Sequence, residues 1–274
     1  MTESIPKAPE LETVKIEVEG SLGRLILNRP ARLNAINAQI ELDITQAARW
    51  FDSVESVRVV IVSGAGRAFS AGADLAANAE AQSAKSGGRR YRRNLGDYGL
   101  RMMEALEQMR AITIAQVHGY AVGGGFSIVL ACDLRIAADD TVFFIPEIDI
   151  GVPYGWGTVP RMVREIGPVM TRELIMTCRR FDAHEAKSLG MLNRVVPASG
   201  LQAETLELAN ELSKKPVIPL SITKDHINAV SRAMGSTMTG FADRDLFLAS
   251  CEDPESVAAA QAYASRVIKR KRSG

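Results

Sequence analysis

The chain has 274 residues, 46% hydrophobic and 24% charged, with a formal net charge of +1. This fits one large globular domain, or one with an appendage, and gives no global pull toward nucleic acid or an anionic membrane. Cys132, Cys178 and Cys251 form no CxxC, His118, His184 and His226 are scattered, and no apolar run approaches membrane-spanning length, so we expect no disulfide framework, no metal site and no membrane anchor.

Residues 1–11 carry charge and two prolines, with no apolar signal core, which predicts a flexible arm and a cytoplasmic location. Val14, Ile16 and Val18 alternate with charged residues as in a half-buried strand, and Leu22 to Asn28 reads as a second strand of a hairpin. From Asn37, a candidate N-cap, Ile40, Ile44, Ala47, Ala48 and Phe51 recur at helical spacing. Val57 to Val62 is a strand buried on both faces, as in a parallel sheet. Residues 78–98 are polar and basic, with Arg89, Arg90, Arg92 and Arg93 around Tyr91, before a core-facing helix marked by Met102, Leu106 and Met109.

Ile112 to Val117 predicts the next buried strand, followed by Gly123-Gly124-Gly125 and a short helix. Leu134 to Ala138 and Val142 to Ile145 read as short strands, a helical pattern runs to Arg180, and a last strand lies near Leu192 to Val196. Beyond Leu201 only helical stretches remain, near 201–213, 217–233, 237–250 and 254–270. The division expected is an arm over 1–11, an α/β core over 12–200 and a helical region over 201–274.

Two loops share one character: Ala71-Gly72-Ala73-Asp74 and Gly123-Gly124-Gly125 each leave a buried strand and turn into a helix. Backbone N–H groups in such turns are free donors, and amides at Ala73 and Gly124 converging on one carbonyl oxygen would form an oxyanion hole. For the glycines alone, a close-packed turn where strand and helix cross is the favoured explanation. Glu147 follows an apolar run, which would partly desolvate its carboxyl and raise its pKa toward acid/base work, but on the residues alone a surface pair with an arginine is the favoured reading.

The blocks N-R-P-A-R-L-N-A at 28–35, A-F-S-A-G-A-D-L at 68–75, H-G-Y-A-V-G-G-G at 118–125, A-C-D-L-R-I-A at 131–137 and P-E-I-D-I-G at 146–151 occur in one order. Over roughly residues 12–270 the chain resembles the crotonase (enoyl-CoA hydratase/isomerase) superfamily. The resemblance implies an α/β spiral of ββα units, a C-terminal helical trimerisation region and a homotrimer or hexamer. It also implies an acyl-CoA thioester substrate, with coenzyme A arriving as part of that substrate and no permanently bound cofactor. By the same resemblance, Glu147 is the acid/base and the amides of Ala73 and Gly124 hold the thioester oxygen. Arg32, Ala71, Asp74, Leu75, Gly123, Ser127, Pro146, Tyr154 and Trp156 are implied around the substrate.

Ser127 departs from the pattern. Hydratases of the family hold their water with two glutamates, and Ser127 stands where the first would be. One remaining glutamate suits a 1,3-proton shift, which implies an enoyl-CoA isomerase, with hydration close behind. A non-catalytic acyl-CoA binder is the rival reading. Nucleic-acid binding through the Arg89–Arg93 cluster or the Lys269-Arg270-Lys271-Arg272 tail lacks an aromatic stacking motif. Serine hydrolysis lacks G-x-S-x-G, and a nicotinamide enzyme would need G-x-G-x-x-G after its first strand.

Overall fold

The computed structural model describes residues 5–75, 77 and 89–272, without the side chains of 89–95, 238, 239 and 267–272. The arginine cluster at 89–93 and the basic tail at 269–272 therefore lie outside the described side chains.

The elements in chain order are β1 (Val14–Glu19), β2 (Leu22–Leu27), α1 (Ala38–Ser53), β3 (Val59–Gly64), α2 (Arg89–Glu107), β4 (Ile112–Val117), β5 (Tyr120–Val122), α3 (Gly124–Ala131), β6 (Leu134–Ala138) and β7 (Val142–Phe144). They continue with α4 (Thr158–Thr177, kinked at Gly167), β8 (Phe181–Asp182), α5 (Ala183–Ser188), β9 (Arg194–Val196), α6 (Leu201–Ser213), α7 (Val217–Met234), α8 (Asp243–Glu252) and α9 (Pro254–Arg272). Six strands form one sheet in the order β1-β2-β3-β4-β6-β9, with β1 antiparallel to β2 and the other neighbours parallel. A small second sheet has the order β5-β7-β8.

The expected α/β architecture with C-terminal helices is present. The run at 57–62 starts its strand only at Val59, because the N–H of Val57 closes a turn onto Val54 O. Asn37 caps α1 as its sequence position predicts, its side chain accepting from Ile40 N at 3.1 Å. Strands β5 and β8 are too short to show periodicity and were not expected. The stretch 237–250 is a 3-10 turn over Thr237–Ala242 followed by α8.

Alternation along β3 explains the two-sided core. Val60 and Val62 face a cluster with residues of α1, α2 and α3, while Val59 and Ile61 face Leu201, Leu208 and Ala209 of α6. Sheet packing thus extends beyond residue 200. Among the described residues, no helix is long and apolar enough to cross a membrane.

Two charged residues of the 131–137 block turn out to be anchors. Asp133 accepts from Thr113 N at 2.7 Å and from Lys224 Nζ at 2.7 Å, tying α7 to the sheet. The buried Arg135 donates to the carbonyls of Val129 and Leu130 in the last turn of α3, each at 3.1 Å, and pairs twofold with Glu165 at 2.8 Å. Val129 O also accepts from the capping Cys132 N at 3.2 Å, so the guanidinium reinforces that end of the helix and supplies the donor for Leu130 O. Replacing Arg135 by Met should destabilise the fold by roughly 3 kcal/mol, read from the urea midpoint, because Leu130 O and the Glu165 carboxylate lose their donor. A midpoint equal to that of the parent would remove this anchor.

Candidate active site

The two glycine-bearing loops lie side by side. Ser70 forms a parallel bridge with Ala121, with Ser70 N donating to Tyr120 O at 2.9 Å and Val122 N donating to Ser70 O at 3.0 Å. Ala73 and Gly124, each three residues beyond the bridged pair, line one cavity. Asn34 supports the first loop from beneath. It is fully buried at φ 53°, and its Nδ2 donates to the carbonyls of Ala65, Ala68 and Phe69 at 2.9 to 3.1 Å. Its carbonyl also accepts from Ser70 Oγ at 2.8 Å. The flanking amides at Ile36, Asp74 and Gly123 are paired, whereas those of Ala73 and Gly124 have no hydrogen-bond partner among the described residues. Gly124 also opens α3, so its N–H sits at the positive end of that helix.

Glu147 lies against the second loop. Gly123 has φ +47°, and a β-carbon there would collide with Glu147 Oε1, so only glycine permits this approach. The other carboxyl oxygen, Oε2, is buried without a hydrogen-bond partner. Burial pushes the Glu147 carboxyl up to about 8.

Behind it stands a chain of hydroxyls. Thr158 Oγ1 donates to Ser127 Oγ at 2.9 Å, Ser127 donates to the Tyr154 hydroxyl at 2.9 Å, and Tyr154 donates to Gly123 O at 3.0 Å. Burial, then the nearby Glu147 charge, raise the Tyr154 phenol well above its usual range.

Trp156 adopts the left-handed backbone conformation at φ 61°, rare for a bulky residue. Its ring runs between Gly99 and Gly124, where β-carbons would strike the indole. The buried Arg161 fixes this loop by donating to Trp156 O at 3.2 Å and Gly157 O at 3.0 Å, and pairs with Glu107 at 2.5 Å. Glu107 also meets Arg164 at 3.3 Å and Arg232 of α7 at 3.4 Å. Burial opposes the charge on Glu107, but the three guanidiniums outweigh it and hold the carboxyl below its usual range.

Two cavities meet at this point. One of about 340 Å³ is lined by Ala73, Gly124, Glu147, Tyr154 and Trp156, closed over by α1 and α8. A second of about 230 Å³ is lined by Ala71, Leu75, Gly123, Pro146 and again by Ala73 and Glu147, with the exposed Tyr120 and Arg180 at its wall. Ala73 and Glu147 are therefore common to both.

Three residues singled out from the sequence line neither cavity. Ser127 is held in the hydroxyl chain, and Asp74 turns to Arg29 at 2.9 Å and caps Ala77 N at 3.3 Å. Arg32 is exposed on a 3-10 turn. Sequence reasoning missed Glu41 on α1 and residues 243–252 of α8, both in the larger cavity. Glu41 carried a signal: it stands three and seven residues before Ile44 and Ala48, on the apolar stripe of its helix. Nothing local marks α8, which reaches the cavity from a hundred residues away. Among the described residues no group of His, Cys, Asp or Glu could hold a metal ion.

A family model described as enoyl-CoA hydratase/isomerase matches residues 17–269. A probable enoyl-CoA hydratase of Mycobacterium tuberculosis is 36% identical, covering 83% of this chain and 84% of that protein. A short-chain-enoyl-CoA hydratase of Clostridium acetobutylicum is 33% identical, over 80% and 82%. The crystal structure of an enoyl-CoA hydratase/isomerase from Xanthobacter autotrophicus Py2 superposes with a TM-score of 0.85 at 28% identity, over 95% of this chain and 99% of that one. The chain belongs to the enoyl-CoA hydratase/isomerase (crotonase) family.

The unpaired carboxyl predicts a pH signature in stability. The folded Glu147 keeps its proton up to about 8, whereas in the unfolded chain it titrates near 4.5. Between those values the unfolded chain binds fewer protons, so this group lowers stability as pH rises. Glu147→Gln should match the parent melting temperature near pH 4 and exceed it by about 5 °C at pH 9. A pH-independent difference in thermal melts would contradict the assignment.

Proposed function

We propose that this family member isomerises enoyl-CoA thioesters, moving a 3-enoyl double bond into conjugation with the thioester. The Glu147 carboxylate takes a proton from the α-carbon, and the enolate oxygen is held by the N–H groups of Ala73 and Gly124. The protonated Glu147 then returns that proton to the γ-carbon, so the atoms balance without water. Each amide donor contributes about 3 kcal/mol to lowering the barrier, and the dipole of α3 adds to Gly124. The observation that carries this reading is the Glu147 carboxyl, with its Oε2 buried and unpartnered, lining one cavity with both free amides.

Ser127 supports it, since its hydroxyl is committed to Tyr154 and Thr158 and stands outside both cavities. The acyl chain would occupy the larger cavity and the coenzyme A arm the smaller, which has the exposed Tyr120 at its wall. No further cofactor enters this chemistry. Hydration is the second reading, favoured by the hydratase names of the relatives. The exposed Ile218, Ile222, Ile227, Val230 and Met234 of α7 offer an apolar flank for a homotrimer or hexamer.

Incubation with 3-enoyl-CoA should yield the conjugated 2-enoyl product, and Glu147→Gln should lower that turnover by about 10²–10⁴-fold while remaining folded. A 3-hydroxy product from 2-enoyl-CoA, with no reaction of the 3-enoyl ester, would select hydration instead. Binding of both esters without turnover would leave only the acyl-CoA binder. Light scattering should give three or six times the 29.7 kDa chain mass; a monomer would dismiss the α7 interface.

A further inference from the structure

The larger cavity is lined by three further carboxyls that the proton shift does not use, Glu41, Asp243 and Glu252, of which Glu41 is the buried one. Glu41 projects from α1 one turn after Ala38, is only 8% exposed, and lines the cavity together with Phe247 and Leu248 of α8. Its side chain has no ion pair or hydrogen-bond partner among the described residues. Of the other charged residues lining the cavity, Asp243 accepts from Gly157 N at 2.8 Å, Arg244 pairs with Asp97, and Glu252 is exposed. Glu41 lines the larger cavity but not the smaller, whereas Ala73 and Glu147 line both. Whatever Glu41 meets therefore lies on the acyl side of the thioester.

We propose that Glu41 is a specificity-determining residue whose carboxyl hydrogen-bonds a hydroxyl group on the distal part of the substrate's acyl chain. This rests on reading the cavity as an acyl-CoA site. A buried carboxyl without a partner costs free energy that a complementary ligand atom relieves. A plain alkyl chain does the opposite, since it displaces any water able to reach that carboxyl. A hydroxyl fits better than an ammonium for two reasons. Burial pushes Glu41 up to about 8, leaving it mostly neutral at pH 7, able both to donate to a hydroxyl and to accept from it. Arg244 lines the same cavity and disfavours a second cation.

Calorimetry with saturated thioesters tests this without turnover, using butanoyl-, hexanoyl- and octanoyl-CoA against their ω-hydroxy counterparts. At the chain length that reaches Glu41, the parent should bind the hydroxylated ester about ten-fold more tightly. Glu41→Leu should reverse that preference, and Glu41→Gln, which still donates and accepts, should keep part of it. Equal affinities across every pair in the parent, or a preference unchanged in Glu41→Leu, would overturn the role of Glu41 alone. Failure of every thioester to bind would sink the acyl-CoA reading and this inference together.

Discussion

The site depends on one short piece of parallel pairing, the bridge between Ser70 and Ala121. It ties the loop that carries Ala73 to β5, the strand that leads into Gly124. Such a bridge, a single residue pair with two backbone hydrogen bonds, would not hold a loop unaided. Asn34 supplies the rest, saturating three carbonyls of the 65–69 turn from a left-handed position in the preceding loop. Three chain segments are thereby locked around two amides left unpaired. In this fold the free donors are an outcome of neighbouring groups being fully bonded.

The carboxyl is kept available by the same economy. Gly123 lets Glu147 approach where a side chain would collide, and the Tyr154 hydroxyl spends its proton on Gly123 O. That leaves Oε2 of Glu147 without a donor, and burial alone holds its proton to higher pH. The glycines at 99 and 124 serve a steric purpose, since both make room for the indole of Trp156. Gly124 thus has two reasons to lack a side chain, one for its amide and one for its neighbour.

Much of this was legible in the sequence, for reasons that differ by residue. Period-two alternation marked β1 because burial acts on every second residue there, whereas the continuous apolar runs of β3 and β4 reflect burial on both faces. The glycine loops, and Glu147 after its apolar run, were readable because the requirement is local. Ser127 was placed correctly on α3, but its hydroxyl partners Tyr154 and Thr158 lie 27 and 31 residues on, beyond any local pattern. Arg32 and Asp74 came from the family resemblance; the first is exposed on its turn and the second is paired with Arg29. Glu41 was hidden because a lone acid on a helix ordinarily points to solvent; its meaning comes from α8 closing over it.

The carboxylate of Glu107 has a consequence reaching past the cavity. It grips Arg161, which steadies the Trp156–Gly157 backbone, and it also meets Arg232 on the helix whose outer flank is apolar and uncovered. The rim of the reaction chamber and the molecule's outer shoulder are thus moored to a single post.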